Sequence, residues 1–183
     1  MAELRLIASP PPQPTRDEEC LDAFQRELDY IYRSLRRLGT PMSELDDLAQ
    51  EVFLALQQNW GEYDRTRPLR PYLFGIAFRI SAASQRKRRR EVAFGIVEPD
   101  DLGPNPDEAL QTKQMRGQVL AALEQIPLKR RAILVMHDLD DVAVRDIATA
   151  LSLPLFTVYS RLRKARKELE AALRRQKRDG GSL

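Results

Sequence analysis

Between residues 91 and 112 the chain carries six carboxylates (Glu91, Glu98, Asp100, Asp101, Asp107 and Glu108), no Lys or Arg, and prolines at Pro99, Pro104 and Pro106. A segment this charged and this poor in apolar side chains cannot bury enough surface to offset the entropy of ordering it, so it is expected as an extended, flexible linker. It divides the 183 residues into two units short enough to be small helical domains. The expected organisation is a Pro-rich arm over 1–19, a first unit over 20–90, the acidic linker over 91–112, a second unit over 113–175 and a solvated tail over 176–183. Charge follows the same division: residues 23–90 carry +5, the linker −6 and residues 113–178 +8, although the whole chain is only +3.

Both units read as all-α. In the first, Phe24, Leu28, Ile31, Leu35 and Leu38 recur at the three-and-four spacing of one helix face, and Gly39 is a suitable stop. Thr40, or Ser43, is the expected cap of a second helix, whose apolar stripe is Leu45, Leu48, Ala49, Val52, Phe53 and Leu56. Asp47, Gln50, Glu51 and Leu54 fall mostly outside that stripe. A turn-rich stretch from Gly61 to Pro68 interrupts the pattern, which resumes at Tyr72, Leu73, Ile76, Ala77 and Ile80 and runs into Arg86-Lys87-Arg88-Arg89-Arg90.

The second unit opens with Met115, Val119, Leu120 and Leu123 on one face, breaks at Ile126-Pro127, and continues in a helix carrying Ala132, Ile133 and Met136. Then a short helix over 142–151, a turn at Ser152-Leu153-Pro154 and a longer helix with Val158, Leu162, Ala165 and Leu169 inward make a helix-turn-helix. The cap of its first helix is expected at Asp140 or Asp141. No alternating run demands a strand, and no Gly-rich phosphate loop is present.

These patterns point to nucleic acid. In a helix-turn-helix the start of the second helix enters the major groove, which sets Phe156, Thr157, Tyr159 and Ser160 near base edges. Arg161, Arg163, Lys164 and Lys167 follow where phosphate contact is expected. The first unit is basic in another manner, its arginines lying beside a loop with Tyr63 and Tyr72, a pairing suited to unstacked single-stranded bases. Other chemistry is poorly supplied. Cys20 and His137 are the only cysteine and histidine, so no disulfide can form within the chain and a zinc site would rest almost wholly on carboxylates. They read as an incidental thiol and a surface imidazole, and no metal, cofactor or catalytic residue is expected. No window offers the roughly 18 apolar residues of a membrane span, and the start MAELRLIASPPPQP lacks the pattern of a secretory signal, so the chain is expected in the cytoplasm.

The residues from Asp46 to Leu56, DDLAQEVFLAL, closely resemble the core-polymerase-binding helix of sigma factor region 2. Arg70 to Ala77, RPYLFGIA, resembles the helix that follows in extracytoplasmic-function members, and Leu153 to Arg166, LPLFTVYSRLRKAR, resembles the recognition helix of region 4. The matches stand in the family's order and, with flanking helices, cover about residues 20–172. The resemblance implies an RNA polymerase specificity subunit that performs no catalysis itself. Asp46, Asp47, Gln50, Glu51, Phe53 and Leu54 would bind core polymerase. Tyr63, Arg65, Arg67, Arg70, Tyr72, Arg79 and the run Arg86, Lys87, Arg88, Arg89, Arg90 would capture and hold the melted −10 element. Phe156, Thr157, Tyr159, Ser160, Arg161, Arg163, Lys164 and Lys167 would read the duplex −35 element. The implied partners are core RNA polymerase, promoter DNA and an anti-sigma factor. Tyr72 replaces a frequent tryptophan, and Phe156 and Tyr159 replace a glycine and a lysine, so the resemblance carries the class and not the target sequence.

Two other readings compete. A stand-alone helix-turn-helix regulator has no need of the acidic-polar row Asp47, Gln50, Glu51 and Leu54 beside a basic loop. A helical adaptor that binds only protein leaves both basic blocks unexplained.

Overall fold

The computed structural model describes residues 15–93 and 110–180. Among these it is all-α, with eight α-helices and no strand. The linker between residues 94 and 109 and the arm before Thr15 lie outside the described residues. The flanks expected as linker, 91–93 and 110–112, belong to the helices on either side.

The first unit begins with α1 (Arg16–Arg26), which a capping box starts: Thr15 accepts from the Glu18 amide while the Glu18 carboxylate takes the Thr15 amide at 2.7 Å. The face expected as one helix over 21–38 is broken at Glu27, whose φ of −105° and ψ of 8° leave the helical region. The chain re-enters as α2 (Leu28–Arg37), with Tyr30, Ile31, Ser34 and Leu35 buried. Gly39, at φ +89°, stops it as expected. The expected caps are absent, because Thr40 is buried and a 3-10 turn (Met42–Glu44) leads straight into α3 (Leu45–Asn59), with no side-chain cap on either. Helix α3 buries Leu45, Leu48, Ala49, Val52 and Leu56, and α4 (Leu69–Ala93) buries Leu73, Phe74, Ile76 and Ala77 against it.

The second unit packs α5 (Leu110–Glu124), α6 (Leu128–Leu134) and a π-helical turn (Val135–Leu139) against α8 (Leu155–Gly180), with α7 (Val144–Ala150) completing the helix-turn-helix. Its opening face is corrected: Met115 and Val119 are exposed, and Ala122, Leu123 and Ile126 are the buried residues. Neither Asp140 nor Asp141 caps α7, since Ala143 holds the N-cap position without a side-chain bond and Asp141 sits at φ +54°. Helix α8 takes in the first five residues of the expected tail, to Gly180, tied by Gln176 to the Gln118 carbonyl of α5 (3.1 Å) and by Arg175 to Gln125 just past the end of α5 (2.7 Å).

The units do not keep separate cores. One cluster of buried side chains runs from Cys20 and Phe24 through Leu38 and Phe74 to Leu123, Ile133, Ile147 and Leu162. Helix α4 packs on α7 and α2 on α5. At the junction Arg131 is 6% exposed, and its guanidinium donates to the carbonyls of Leu38 (2.9 Å), Glu124 (2.8 Å) and Ile126 (3.1 and 3.2 Å). One side chain thus ends both α2 and α5, satisfying carbonyls that have no partner within their own helices.

Candidate nucleic-acid interface

The loop from Trp60 to Pro68 is built around an aromatic ladder. Trp60 and Tyr63 stack with centroids 5.6 Å apart at 18°, and Tyr63 meets Tyr72 at 4.8 Å. Tyr63 donates its hydroxyl to the Arg67 carbonyl at 2.6 Å. The Asp64 carboxylate accepts from the Thr66 hydroxyl (2.7 Å) and amide (3.0 Å), bonds that hold its pKa below the usual range. Burial pushes the Tyr63 and Tyr72 phenols up, so both are neutral donors at physiological pH. Both rings are half-buried.

Around this ladder the loop arginines are exposed and held by carboxylates: Arg65 by Glu19 (2.7 Å), Arg67 by Asp64 (3.3 Å) and Arg70 by Glu27 (2.8 Å). Arg65 also lies 5.5 Å over Trp60, and Arg70 5.4 Å over Tyr30. Exposed pairs of this kind contribute under about 1 kcal/mol, so a phosphate can replace the carboxylate at small cost. The sequence reading missed Trp60, Glu19 and Glu27. Trp60 lies three residues before Tyr63, a spacing that could have flagged it; the two glutamates lie 46 and 43 residues from their arginines, where no local signal reaches.

Further along α4 the basic run divides. Arg86, Lys87, Arg89 and Arg90 are exposed, with Lys87 3.9 Å from Glu91, whereas Arg88 turns inward to Glu44 (3.4 Å) and the Gly39 carbonyl (3.5 Å). Arg79 is exposed but directed at the second unit, donating to the Ala150 carbonyl at 3.5 Å.

Helix α3 presents Asp46, Asp47, Gln50, Glu51 and Leu54 to solvent, Leu54 at 46% exposure. Asp46 accepts from the Tyr32 hydroxyl at 2.6 Å, a bond that raises the phenol's pKa. Phe53 is half-buried, edge-on to Phe24 at 5.0 Å.

In the helix-turn-helix, Ser152 at φ +52° and the Leu153 amide on the Ala148 carbonyl (2.8 Å) make the turn. Val158, Leu162 and Ala165 are buried and fix how α8 rotates. The opposite face presents Phe156 (75% exposed) and Tyr159 (60%), with Ser160, Arg163, Lys164 and Lys167 exposed and Thr157 and Arg161 half-buried. Two bidentate pairs anchor the helix: Arg130 on Glu168 (2.8 and 2.7 Å) and Arg166 on Asp138 (2.9 and 2.6 Å). A rigid helix with a basic, aromatic outer face after a tight turn is the geometry that enters a major groove.

The family model described as Sigma-70 region 2 matches residues 23–91, and that described as Sigma-70, region 4 matches residues 116–169. The chain is 30% identical over 159 residues to the ECF RNA polymerase sigma factor EcfG of Rhodopseudomonas palustris, covering 83% of this chain and 86% of that protein. The chain belongs to the extracytoplasmic-function sigma factors. It is also 26% identical over 162 residues to SigW of Bacillus subtilis, covering 82% and 84% of the two chains. In fold it is similar to the sigma factor RpoE solved with the anti-sigma factor NepR from Bartonella quintana (TM-score 0.65, 22% identity, 84% of this chain and 98% of that one). CnrH solved with the cytosolic domain of CnrY is also similar (TM-score 0.59, 21% identity, 84% and 86%). This sigma factor is therefore a DNA-binding transcription initiation protein. Among its described residues no helix is long and apolar enough to cross a membrane, and no group of three or more His, Cys, Asp or Glu could hold a metal.

Proposed function

We propose that this sigma factor divides promoter recognition between its two units. The exposed row Asp47, Gln50, Glu51 and Leu54 on α3, with Asp46 and Phe53 beside it, docks on core polymerase. The loop carrying Tyr63, Arg65, Arg67, Arg70 and Tyr72, continued by Arg79 and the outward arginines of α4, takes the melted −10 strand. The start of α8 reads the −35 duplex, with Phe156 and Tyr159 offering apolar surface to thymine methyls and Arg163, Lys164 and Lys167 holding phosphates. The observation that carries this reading is that one chain presents two basic faces of different shape, an aromatic loop for unstacked bases and a helix for a groove, beside an acidic-polar row that neither nucleic-acid face needs.

Polymerase performs the nucleotidyl transfer, so the chain works as a dissociable specificity subunit in the cytoplasm, where polymerase is. RpoE was solved with the anti-sigma factor NepR, and by that analogy an anti-sigma factor controls this protein as well. The test is in vitro transcription from a promoter library with purified core polymerase, with and without this chain. Promoter-specific transcripts that require the chain are expected; their absence, together with no complex with core, sinks the reading.

A further inference from the structure

We propose that the contact between the two units is a latch belonging to this chain itself, which holds Arg79 on the second unit and away from promoter DNA until the units part. The proposal rests on the assignment of Arg79 to the −10 element.

The latch has three parts. At its centre the last carbonyl of α7, Ala150, approaches α4 where residue 75 is glycine: a Cβ there would lie 2.6 Å from the Ala150 oxygen, and the nearest atoms it would meet all belong to Ala150. Arg79, one turn on, donates to the same oxygen at 3.5 Å. At one side Arg131 of the second unit donates to the Leu38 carbonyl at the end of α2, beside Gly39, where a Cβ would lie 2.5 Å from the guanidinium nitrogen. Arg37 then pairs with Asp140 at 2.6 Å, the carboxylate being 9% exposed. The capping is reciprocal, each unit placing an arginine on a helix C-terminus of the other, where the helix dipole favours a cation.

What the latch covers is selective. Glu51 and Leu54 on α3 and Phe156 and Tyr159 on α8 stay exposed in the closed chain. Core polymerase and duplex DNA can therefore be met before opening, and the −10 strand cannot engage Arg79 until α7 leaves α4. For Arg79 itself the exchange favours opening, because a guanidinium on a neutral carbonyl is traded for the same guanidinium on a charged phosphate, while the buried side chains that the two units share hold the latch closed. Gly75 is not demanded by the first unit's own packing: α4 is a continuous helix through it, and only the approach of Ala150 excludes a side chain there.

Gly75→Ala is the decisive variant. Alanine has the higher helix propensity, so α4 is not weakened, while its methyl drives the Ala150 carbonyl away. In the full chain, small-angle scattering reads the radius of gyration, and fluorescence anisotropy reads binding of a labelled random-sequence single-stranded DNA pool. A latch that keeps nine chains in ten closed weakens an open-state interaction about tenfold. Gly75→Ala is accordingly expected to expand the chain and tighten single-strand binding at least about threefold by the same relation, with helical circular dichroism unchanged. Arg37→Ala, which strips Asp140 of its partner, is expected to do the same by an independent route. An unchanged radius of gyration in both variants overturns the latch, and so does expansion without tighter binding. If expansion and tighter binding both survive Arg79→Ala in the Gly75→Ala background, the −10 assignment of Arg79 falls while the closure itself stands.

Discussion

Replacing Arg131 with Met removes the side chain that ends two helices at once. The carbonyls of Glu124 and Ile126 lose their donor, whereas that of Leu38 keeps the Gln85 amide at 2.8 Å. At about 1–3 kcal/mol for each stranded acceptor the gross loss is about 4 kcal/mol. Part of this is returned, because burial pulls the guanidinium pKa down from its ordinary value to about 10. That shift corresponds to roughly 3 kcal/mol spent on holding the charge in the folded chain. Methionine fills the space without a charge, so the expected net destabilisation is about 1 kcal/mol. In urea, with a slope of about 2 kcal/mol per molar, the unfolding midpoint followed by circular dichroism should fall by roughly 0.5 M. Arg131→Lys should recover only a minor part, since one ammonium cannot reproduce a planar fork that reaches three carbonyls. A midpoint that does not fall at all, or full rescue by lysine, refutes the assignment of the helix ends to this guanidinium.

Other outcomes follow from the same contacts. Glu51→Lys should weaken the complex with core polymerase, read by native gel or interferometry, by about tenfold or more, the scale of a reversed charge at a docking surface, while binding to isolated DNA is kept; loss of DNA binding alone contradicts the α3 assignment. Tyr159→Ala should shift the −35 preference in a promoter-library selection without affecting −10 opening, and an effect confined to −10 opening breaks the division between units. The Asp138 carboxyl is held below its ordinary 3.8, first by the bonds from Arg166, so the stability it contributes is present above that value and lost as pH falls through the lowered one. Acid titration of urea midpoints should therefore show Asp138→Asn less stable near neutrality by under about 1 kcal/mol, given the solvent exposure of the pair, with the difference vanishing on acidification. A difference that grows with acid contradicts the sign.

Much of the fold is legible along the chain because helices are local. Leu45, Leu48, Val52 and Leu56 mark the inner face of α3, and Val158, Leu162 and Ala165 mark that of α8, since 3.6 residues per turn maps sequence spacing directly onto one side of a cylinder. The turn at 152–154 is equally local. The break at Glu27 was not legible, because no proline or glycine marks it and the apolar spacing continues across it. Met115 and Val119 show the opposite failure: they keep helical spacing but face solvent, since burial depends on where α8 lies and not on the residues themselves. The extension of α8 to Gly180 depends on Gln118 and Gln125, about fifty residues earlier in the chain.

The candidate site divides in the same manner. Residue type and position along a helix already separate the exposed α3 row, the basic outer face of α8 and the arginines of the loop. The sequence by itself determined the helical class, the two basic units and the surfaces they offer. Only the tertiary structure decided that the loop arginines rest on Glu19 and Glu27, that Arg88 turns inward while its neighbours do not, and that Arg131, Gly39 and Gly75 bring the units into contact. The physical reason is range: helix periodicity is set by hydrogen bonds four residues apart, whereas a guanidinium 93 residues from the carbonyl it satisfies is placed by the packing of everything between them.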